Sequence, residues 1–367
     1  MSVASVPTER PKSRLRNFAV NLAVLVVTSL VCVLLLEWVV RWQFPYYSPS
    51  TQLRFHPMGN GLVLGEPLLI QRLWTPKGDY DTQVRFNAEG FRDTKLLSEA
   101  TGSDWFALGD SFTMGMGVDE DKRYANVLEK LFQSNGIKAS VFNIAIPDNF
   151  IGYQRLLKYA ESRTININHL IVGVCMENDI RDYRDGRSSW DFQGLDVNPD
   201  GRRLSTKELL RSWFKQHSAL YTALSFELQK TELGRRFFER LGVARNVDSL
   251  SRKNTFSEEA LVSCRDEMLK IVSDLDAFVL ICPARQLWSG NNCETEARVH
   301  ERFLQLLRDA NVRVVDMKPV FEHEGNPLQF YYAHDPHWNP RGHALAAREL
   351  FAEIRARDEK AVSSTSQ

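Results

Sequence analysis

Five short apolar segments alternate with amphipathic helical patterns along this chain, and that alternation limits the possible folds more than any other feature. Each segment has the length and the β-branched content that suit a buried strand. The segments are WFALG (105–109), SVFNIAI (140–146), HLIVGVCM (169–176), AFVLICP (277–283) and VRVVDM (312–317). The helical patterns that fall between or after them cover 124–133, 152–161, 257–275 and 294–309. Strands that alternate with helices predict an α/β fold with a doubly wound parallel sheet.

The length of 367 residues suits one large domain or two ordinary ones. We expect the α/β domain at 104–356, preceded at 41–103 by an extended lead-in that is rich in Pro and Gly. Residues 182–256 interrupt the alternation and predict a helical insertion or cap, and residues 357–367 predict a disordered tail. The aromatic residues of the insertion either cap a site and bind substrate or form the core of a helical subdomain. They are Trp190, Phe192, Trp213, Phe214 and Tyr221.

The N-terminal region differs from the rest because no charged side chain occurs between Asn17 and Leu36. About 20 such residues are enough for a helix to cross the hydrocarbon core of a bilayer. Basic residues precede the run, and a single arginine, Arg41, follows it. The positive-inside rule therefore predicts a cytoplasmic segment at 1–16 and a transmembrane helix at 17–40. The expected location is the inner (cytoplasmic) membrane, with a single pass and the α/β domain on the periplasmic side.

Two other interpretations of this apolar run stay open. A cleavable signal peptide needs a shorter apolar stretch and a small-x-small cleavage site, and LLLEWVVRWQF offers neither. A buried core helix is the second alternative. The aromatic residues after the run favour a membrane span, because amphipathic rings prefer the headgroup level. They are Trp38, Trp42, Tyr46 and Tyr47.

The charge balance argues against nucleic acid as a partner. Lys+Arg and Asp+Glu both number 46, so the formal net charge is zero. A protein that binds phosphate backbones usually carries a clustered basic excess. No oligomeric state follows from the composition.

The five cysteines leave the question of disulfides open. Cys32 lies in the apolar run, and the other four permit disulfides in an exported domain. Of these four, Cys282 and Cys293 are closest in sequence. The alternative is that the cysteines are small buried hydrophobic residues. No C-x-x-C pair is present to suggest a zinc or thioredoxin-type site.

The first candidate for chemistry is the serine in GDSFTMG, residues 109–115, directly after the strand WFAL. In open α/β sheets, functional residues collect where strands end and helices begin. A serine at that turn, here Ser111, exposes its hydroxyl beside the N–H groups of the helix N-terminus. The alternative is that Ser111 or Asp110 only caps the helix.

A second candidate follows the strand HLIVGVCM, in the sequence Glu177-Asn178-Asp179. The side chain of Asn178 can donate a hydrogen bond to a developing oxyanion. The alternative is an Asn-Asp pair that only forms a turn.

The third candidate is the pair Asp335 and His337, in a loop that Asn339 and Pro340 connect to the last helix as its N-cap and first residue. An Asp two residues before a His can accept its second ring proton and orient the imidazole toward a nucleophile. His337 is alternatively a surface or structural histidine. A metal site with His334 lacks the dedicated carboxylate or thiolate partners that such a site needs, so we predict no metal.

With these motifs the chain resembles the SGNH/GDSL hydrolases, particularly membrane-anchored bacterial members that have N-x-x-G-F-R-D before the serine. That motif stands here at 87–93, and the serine block at 109–118. The resemblance runs from about 84 to 352, apart from 182–256. It implies a flavodoxin-like sheet with strand order 2-1-3-4-5. It also implies roles for four residues: a catalytic Ser111, an oxyanion Asn178, and the closing pair Asp335 and His337.

The chain departs from the family pattern at the glycine positions of the oxyanion block. Ala145 and Asp148 stand where the family has glycines in N-x-G-x-x-G, and Met176 stands where many relatives have glycine. The backbone N–H of Asp148 is our candidate for the third oxyanion donor, with Asn149 or Gly152 as alternatives.

The expected function is that of a membrane-anchored, extracytoplasmic serine esterase. It would act on acyl esters of an envelope glycan or lipid through an acyl-enzyme, without a cofactor. Trp338, beside the base, is a candidate for stacking on a sugar ring, although packing against the sheet edge is the alternative. Two other functions stay open: an O-acyltransferase of exopolysaccharide, and a non-catalytic glycan-binding protein that retains the fold.

Overall fold

The computed structural model describes seven ranges of the chain. They are 12–48, 53–75, 78–163, 167–186, 206–229, 256–290 and 292–365.

The chain begins with a long helix and two hairpins. Helix α1 is Lys12–Gln43. Strands β1 (Phe55–Gly59) and β2 (Leu62–Gly65) form one antiparallel pair, and β3 (Ile70–Trp74) and β4 (Asp81–Arg85) form another. The segment that was predicted as an extended lead-in therefore contains regular strands, because each pair satisfies its own backbone hydrogen bonds.

A five-stranded parallel sheet forms the centre of the domain. Its strands are β5 (Trp105–Leu108), β6 (Val141–Asn143), β7 (His169–Cys175), β8 (Asp276–Cys282) and β9 (Val314–Asp316). They lie in the order β6-β5-β7-β8-β9, and every neighbouring pair is parallel. Counted within the sheet, this is the order 2-1-3-4-5. The predicted flavodoxin-like, doubly wound α/β sheet is confirmed.

Ten further α-helices lie in the described residues. They are α2 (Ser111–Met114), α3 (Tyr124–Ser134), α4 (Phe150–Glu161), α5 (Asp179–Arg184), α6 (Thr206–His217), α7 (Ala219–Gln229), α8 (Glu258–Val272), α9 (Cys293–Asp309), α10 (Met317–His323) and α11 (Pro340–Thr365).

The sheet buries side chains on both of its faces. Along β5, Phe106 and Leu108 belong to one hydrophobic cluster, whereas Trp105 and Ala107 belong to another. This alternation follows from the two-residue period of a strand. Since both faces are covered, all four residues of β5 are buried, and the strand reads as a continuous apolar run.

The C-terminal tail differs from its prediction. Helix α11 continues to Thr365, so the expected disorder at 357–367 is wrong for all but its last two residues, which lie outside the described part. Arg357 explains the continuation, because its guanidinium pairs with Asp276 and lies over the ring of Trp105. An Arg355–Glu359 pair one helical turn apart adds support.

All five cysteines are free, so the permitted disulfides do not form. Cys175, Cys264 and Cys282 are buried and pack as small hydrophobic residues. Cys282 and Cys293 are not bonded to each other, although they are the closest pair in sequence.

The described residues of the insertion include the end of α5 and all of α6 and α7, and α7 packs against α1. Trp213, Phe214 and Tyr221 form a chain of ring contacts, with centroid distances of 5.2 and 5.6 Å. Trp190 and Phe192 lie outside the described residues. The predicted capping of a site by this insertion stays a prediction.

Candidate active site

The predicted serine begins a helix at the carboxyl end of a central strand. Asp110 is the N-cap of α2, and its carboxylate accepts the N–H of Phe112 at 2.9 Å. Gly109 makes the turn with φ of 155°, where a Cβ atom would lie 2.7 Å from the carbonyl oxygen of Gly173. Only glycine fits this position. The turn places the partly exposed Ser111 at the carboxyl end of the sheet, with its backbone N–H at the first position of the helix.

Three side chains from separate parts of the chain form one hydrogen-bonded series. The Oγ atom of Ser111 lies 2.7 Å from Nε2 of His337, and Nδ1 of His337 lies 2.6 Å from Oδ1 of Asp335. The same carboxylate oxygen accepts the backbone N–H of His337 at 2.9 Å. These distances allow proton transfer from the serine hydroxyl to an imidazole that is oriented by a carboxylate.

The histidine lies in an environment that favours its protonated form. Burial lowers the pKa of His337, but the hydrogen bond and the charge of Asp335 more than offset this effect. Asp110 and Glu177 act in the same direction as Asp335, so the pKa of His337 is raised. Burial raises the pKa of Asp335, and its contact with His337 outweighs burial and lowers it. An imidazole with a raised pKa, held by a carboxylate with a lowered pKa, thus contacts the serine hydroxyl.

Asn178 lies next to the serine turn, as the sequence predicts. Burial raises the pKa of Asp110, and a hydrogen bond from the Asn178 side chain is among the smaller effects that lower it. Asn178 also lies 3.4 Å from Asp182 through its amide nitrogen. The donor group therefore lies beside the residue that precedes Ser111.

Asp148 lies in the loop before α4 and is nearly buried. Its carboxylate accepts the N–H of Asn149 at 2.8 Å and lies against Gly152, where any Cβ would collide with it. The N–H of Gly152 donates to the Asn149 side chain, which caps the helix. The Asp148 carboxylate thus faces the first turn of its own helix, where the helix dipole favours a negative charge. Its backbone N–H as an oxyanion donor stays a prediction.

Trp338 corrects one sequence-based expectation. Its side chain is fully buried, so its ring is not available for stacking on a sugar. It packs edge-on against Phe112 and Phe321, with centroid distances of 5.7 and 5.4 Å. The alternative interpretation, packing against the sheet, is the observed one. Because Trp338 follows His337 directly, this packing fixes the loop that carries the base.

The other departures from the family pattern are core positions. Ala145 is completely buried, and its N–H donates to the side chain of Asn143. The Asn143 amide in turn donates to the carbonyl of Thr113 in α2 at 2.7 Å. Met176 is buried in the hydrophobic cluster on one sheet face. Both side chains are buried in the core.

The structure also explains the motif N-x-x-G-F-R-D. Arg92 is completely buried and donates to backbone carbonyls of Met114, Gly115 and Val118, just after the serine. Asp93 accepts the N–H of Asn143 at 2.7 Å. The motif therefore supports the loop that follows α2 and ties it to the next strand.

Sequence reasoning missed Tyr80 and its neighbour Asp79. The hydroxyl of Tyr80 lies 3.4 Å from Oδ2 of Asp335, and Asp79 accepts the backbone N–H of His334 at 3.1 Å. The Tyr80 ring also packs on Tyr332 at 5.2 Å. These residues come from the lead-in, about 255 positions before the loop that they hold. No local pattern signals so distant a contact.

Glu177 and Gln286 form a further polar pair near the base. Gln286 donates to Glu177 at 3.1 Å, and burial raises the pKa of this carboxyl. The adjacent Arg285 donates to the carbonyls of Ala333 and Asp335. Arg285, after β8, thus contacts the loop that carries the base. Glu177, after β7, adds negative charge near the imidazole of His337.

A family model described as an SGNH hydrolase-like domain of the acetyltransferase AlgX matches residues 278–367, which include Asp335 and His337. A search of curated proteins gave no significant match.

Several solved structures are similar at low sequence identity. A lipolytic protein of the G-D-S-L family from Veillonella parvula is 14% identical, with a TM-score of 0.36, and the match covers 68% of this chain and 96% of that one. A lipase/acylhydrolase from Enterococcus faecalis is 11% identical, with a TM-score of 0.39, and the match covers 69% of this chain and 96% of that one. An acetylxylan esterase from Geobacillus stearothermophilus is 15% identical, with a TM-score of 0.38, and the match covers 70% of this chain and 95% of that one.

The sheet order, the serine at the end of its first strand and the Asp–His pair before its last helix are the features that the resemblance implied. The family match covers the part of the chain that carries the pair. This part of the chain is therefore similar to an SGNH hydrolase-like domain.

Proposed function

We propose that this protein is a serine esterase that removes acyl groups from an envelope glycan or lipid through a covalent acyl-enzyme. The observation that carries the proposal is the series of short contacts from Ser111 to His337 to Asp335, at 2.7 and 2.6 Å. A serine is a weak nucleophile unless an adjacent base accepts its proton. Here the base is in contact with the hydroxyl.

In the proposed first step, His337 takes the proton of Ser111 as its oxygen attacks the ester carbonyl. Asp335 holds the Nδ1–H tautomer and stabilises the imidazolium that forms. The carbonyl oxygen becomes negative, and the Ser111 N–H, the Asn178 amide and the Asp148 N–H are the proposed donors to it. His337 then protonates the departing alcohol, and water hydrolyses the acyl-serine by the same route in reverse.

We propose further that α1 anchors the protein in a membrane and that the α/β domain lies outside the cytoplasm. Residues Arg16–Gln43 have a mean hydropathy of 2.7 in their most apolar window, and none of that window is buried. Within the described residues, no other helix is long and apolar enough to cross a membrane. A soluble core helix would cover its apolar side chains, so the exposure of this window of α1 supports a membrane span.

O-acyl transfer to a glycan is the second candidate, because the matching family model is described as an acetyltransferase domain. The acyl-enzyme is common to both reactions, and they differ only in whether water or a hydroxyl group accepts the acyl group. Product analysis after incubation with an activated acetyl ester, with and without added polysaccharide, separates them. Free acetate alone supports the esterase, and acetylated polysaccharide supports the transferase.

The test of the nucleophile uses the full chain in detergent and a fluorophosphonate probe. We expect the probe to label the wild-type protein and the control Ser103→Ala, which alters an exposed serine, but not Ser111→Ala. Esterase activity should fall by about 10³-fold or more in Ser111→Ala alone. Labelling of Ser111→Ala at the wild-type rate, or no labelling of folded wild-type protein, contradicts the proposal. The second result would favour a non-catalytic glycan-binding protein.

A further inference from the structure

Helix α6 exposes a row of large apolar side chains. Leu210 is 59% and Trp213 is 53% exposed, and Leu209 and Phe214 are exposed as well. Spacings of three and four residues place these positions on one face of a helix. An exposed apolar face of this kind marks a contact surface in a soluble domain or at a membrane.

The end of this helix is fixed to α1. The carboxylate of Glu37 accepts hydrogen bonds from the Ser218 hydroxyl at 2.8 Å and from the N–H groups of Ala219 and Leu220 at 2.9 Å. Arg41 donates to the carbonyl of His217 at 2.7 Å. The turn between α6 and α7 therefore lies beside the end of the apolar run of α1.

At the same level, α1 exposes two tryptophans. Trp38 and Trp42 are 61% and 66% exposed, and their rings stack at 5.7 Å. Tryptophan prefers the boundary between headgroups and acyl chains, where its ring is apolar and its N–H is polar. If α1 crosses a membrane, this pair and the Glu37–Arg41 contact mark the height of the boundary.

We infer that α6 is an interfacial helix that lies in the surface of the bilayer crossed by α1, with Leu209, Leu210 and Trp213 inserted among the lipids. The inference depends on the proposed membrane anchor. The position of α6 is the reason to choose lipid as the partner of this face. Its apolar face begins one helical turn from His217, which contacts Arg41 of α1, and Arg41 lies beside the tryptophans at the expected lipid boundary. Such helices bury their apolar face about 5–10 Å into the boundary region.

An interfacial helix would give the protein a second attachment to the membrane. One helix alone leaves a domain free to swivel, whereas two contacts define its orientation. The domain would then present its site to membrane-linked or membrane-adjacent acyl esters at a fixed height.

The test places an environment-sensitive fluorophore on single cysteines of the full chain in lipid nanodiscs. Leu210→Cys reports on α6, and Ser134→Cys reports on an exposed position at the end of α3. Both are made with Cys32→Ala and Cys293→Ser, so that the remaining native cysteines are buried. Native Cys32, labelled in Cys293→Ser, reports separately on the anchor. The quencher is a nitroxide lipid that carries its nitroxide near the headgroup or near the chain end.

We expect the probe at 210 to shift its emission to the blue and to lose fluorescence more strongly with the shallow nitroxide than with the deep one. The probe at 134 should show neither effect, and the probe at 32 should be quenched by the deep nitroxide. Quenching at 32 without quenching at 210 overturns the interfacial helix and leaves the anchor intact. A blue shift at 210 without quenching also overturns it, because a second copy or another protein would then cover this face. No quenching at 32 overturns the anchor together with the inference.

Discussion

His337 has an unusual charge environment for a surface loop, because three carboxyl groups act on it. Asp335 contacts its ring, and Asp110 and Glu177 add weaker effects in the same direction. These groups raise the pKa of His337 against the opposing effect of burial. As the pH falls through this raised pKa, the imidazole gains a proton and cannot accept one from Ser111. Activity should therefore decline on the acid side at a pH above the usual histidine value of about 6.5.

Replacing Asp335 tests this origin of the pKa shift. Asp335→Asn removes the largest stabilisation of the imidazolium, so the acid midpoint of kcat/KM should move to lower pH. The rate at the plateau should also fall, on the order of 10⁴-fold, because the correct tautomer is no longer held. A pH profile measured by spectrophotometric ester hydrolysis gives both quantities. The exposed Asp121→Asn is the control, and an unchanged midpoint in Asp335→Asn contradicts the assignment.

The hydroxyl of Tyr80 contacts Asp335 rather than the base itself. Tyr80→Phe removes one long hydrogen bond of 3.4 Å and keeps the ring that packs on Tyr332. A hydrogen bond of this kind contributes about 0.5–1.5 kcal/mol, so kcat should fall by about 2- to 10-fold with KM unchanged. The Tyr159→Phe control, on the partly exposed side of α4, should retain the wild-type kcat. A rise in KM at constant kcat would instead assign Tyr80 to substrate binding.

Among the elements, the turn from β5 into α2 carries the strictest steric requirement. Three contacts with sequence-distant groups hold it: Gly109 packs against Gly173 of β7, Arg92 donates to the carbonyls that follow α2, and Asn143 donates to the carbonyl of Thr113. Each contact fixes backbone atoms rather than a flexible side chain. The position of the serine hydroxyl is thus determined by the strand, the lead-in and the neighbouring strand together.

Gly109→Ala should disrupt this turn. Its Cβ would lie 2.7 Å from the Gly173 carbonyl oxygen, and neither β5 nor β7 can move without breaking strand pairing. Gly136→Ala is a matched control, since Gly136 also has a positive φ (76°) but has no atom within 4 Å of the added Cβ. We expect the control to lose about 1–2 kcal/mol of unfolding free energy and Gly109→Ala to lose more. Urea unfolding in detergent measures both, and equal losses contradict the steric argument.

For the molecule as a whole, the contact between α1 and the insertion joins the proposed anchor to the rest of the chain. Glu37 accepts the first two N–H groups of α7 from a different helix, 182 positions away from Ala219, in addition to the cap that the Ser218 hydroxyl provides to Tyr221. A cap supplied from another helix couples the order of α7 to the presence of α1.

Glu37→Ala should loosen the first turn of α7. Loss of a cap costs about 0.5–2 kcal/mol, which corresponds to amide exchange about 2- to 30-fold faster at Ala219 and Leu220. Hydrogen–deuterium exchange of the full chain in nanodiscs measures this change. Ser257→Ala, which removes the side-chain cap of α8, should leave α7 unaffected. Unchanged exchange in α7 of Glu37→Ala would show that packing alone orders the helix.

The sequence by itself determined the sheet, because buried parallel strands and amphipathic helices have short-range periods that can be read locally. It also pointed to Ser111 and Asn178, since the carboxyl ends of parallel strands meet at one edge of the sheet, and to Asp335 and His337 by their spacing in the loop before the last helix. The tail at 357–365 was misjudged, because its order depends on the contact between Arg357 and Asp276.

Only the tertiary structure decided which polar and aromatic side chains around the motif serve the site. It buried Trp338, turned the Asp148 carboxylate toward α4, and brought Tyr80 to Asp335 across 255 positions. The physical reason is that hydrogen bonds and burial depend on distances in space. Periodicity determines which face of an element a residue occupies, but only the packing of the elements determines what that face meets.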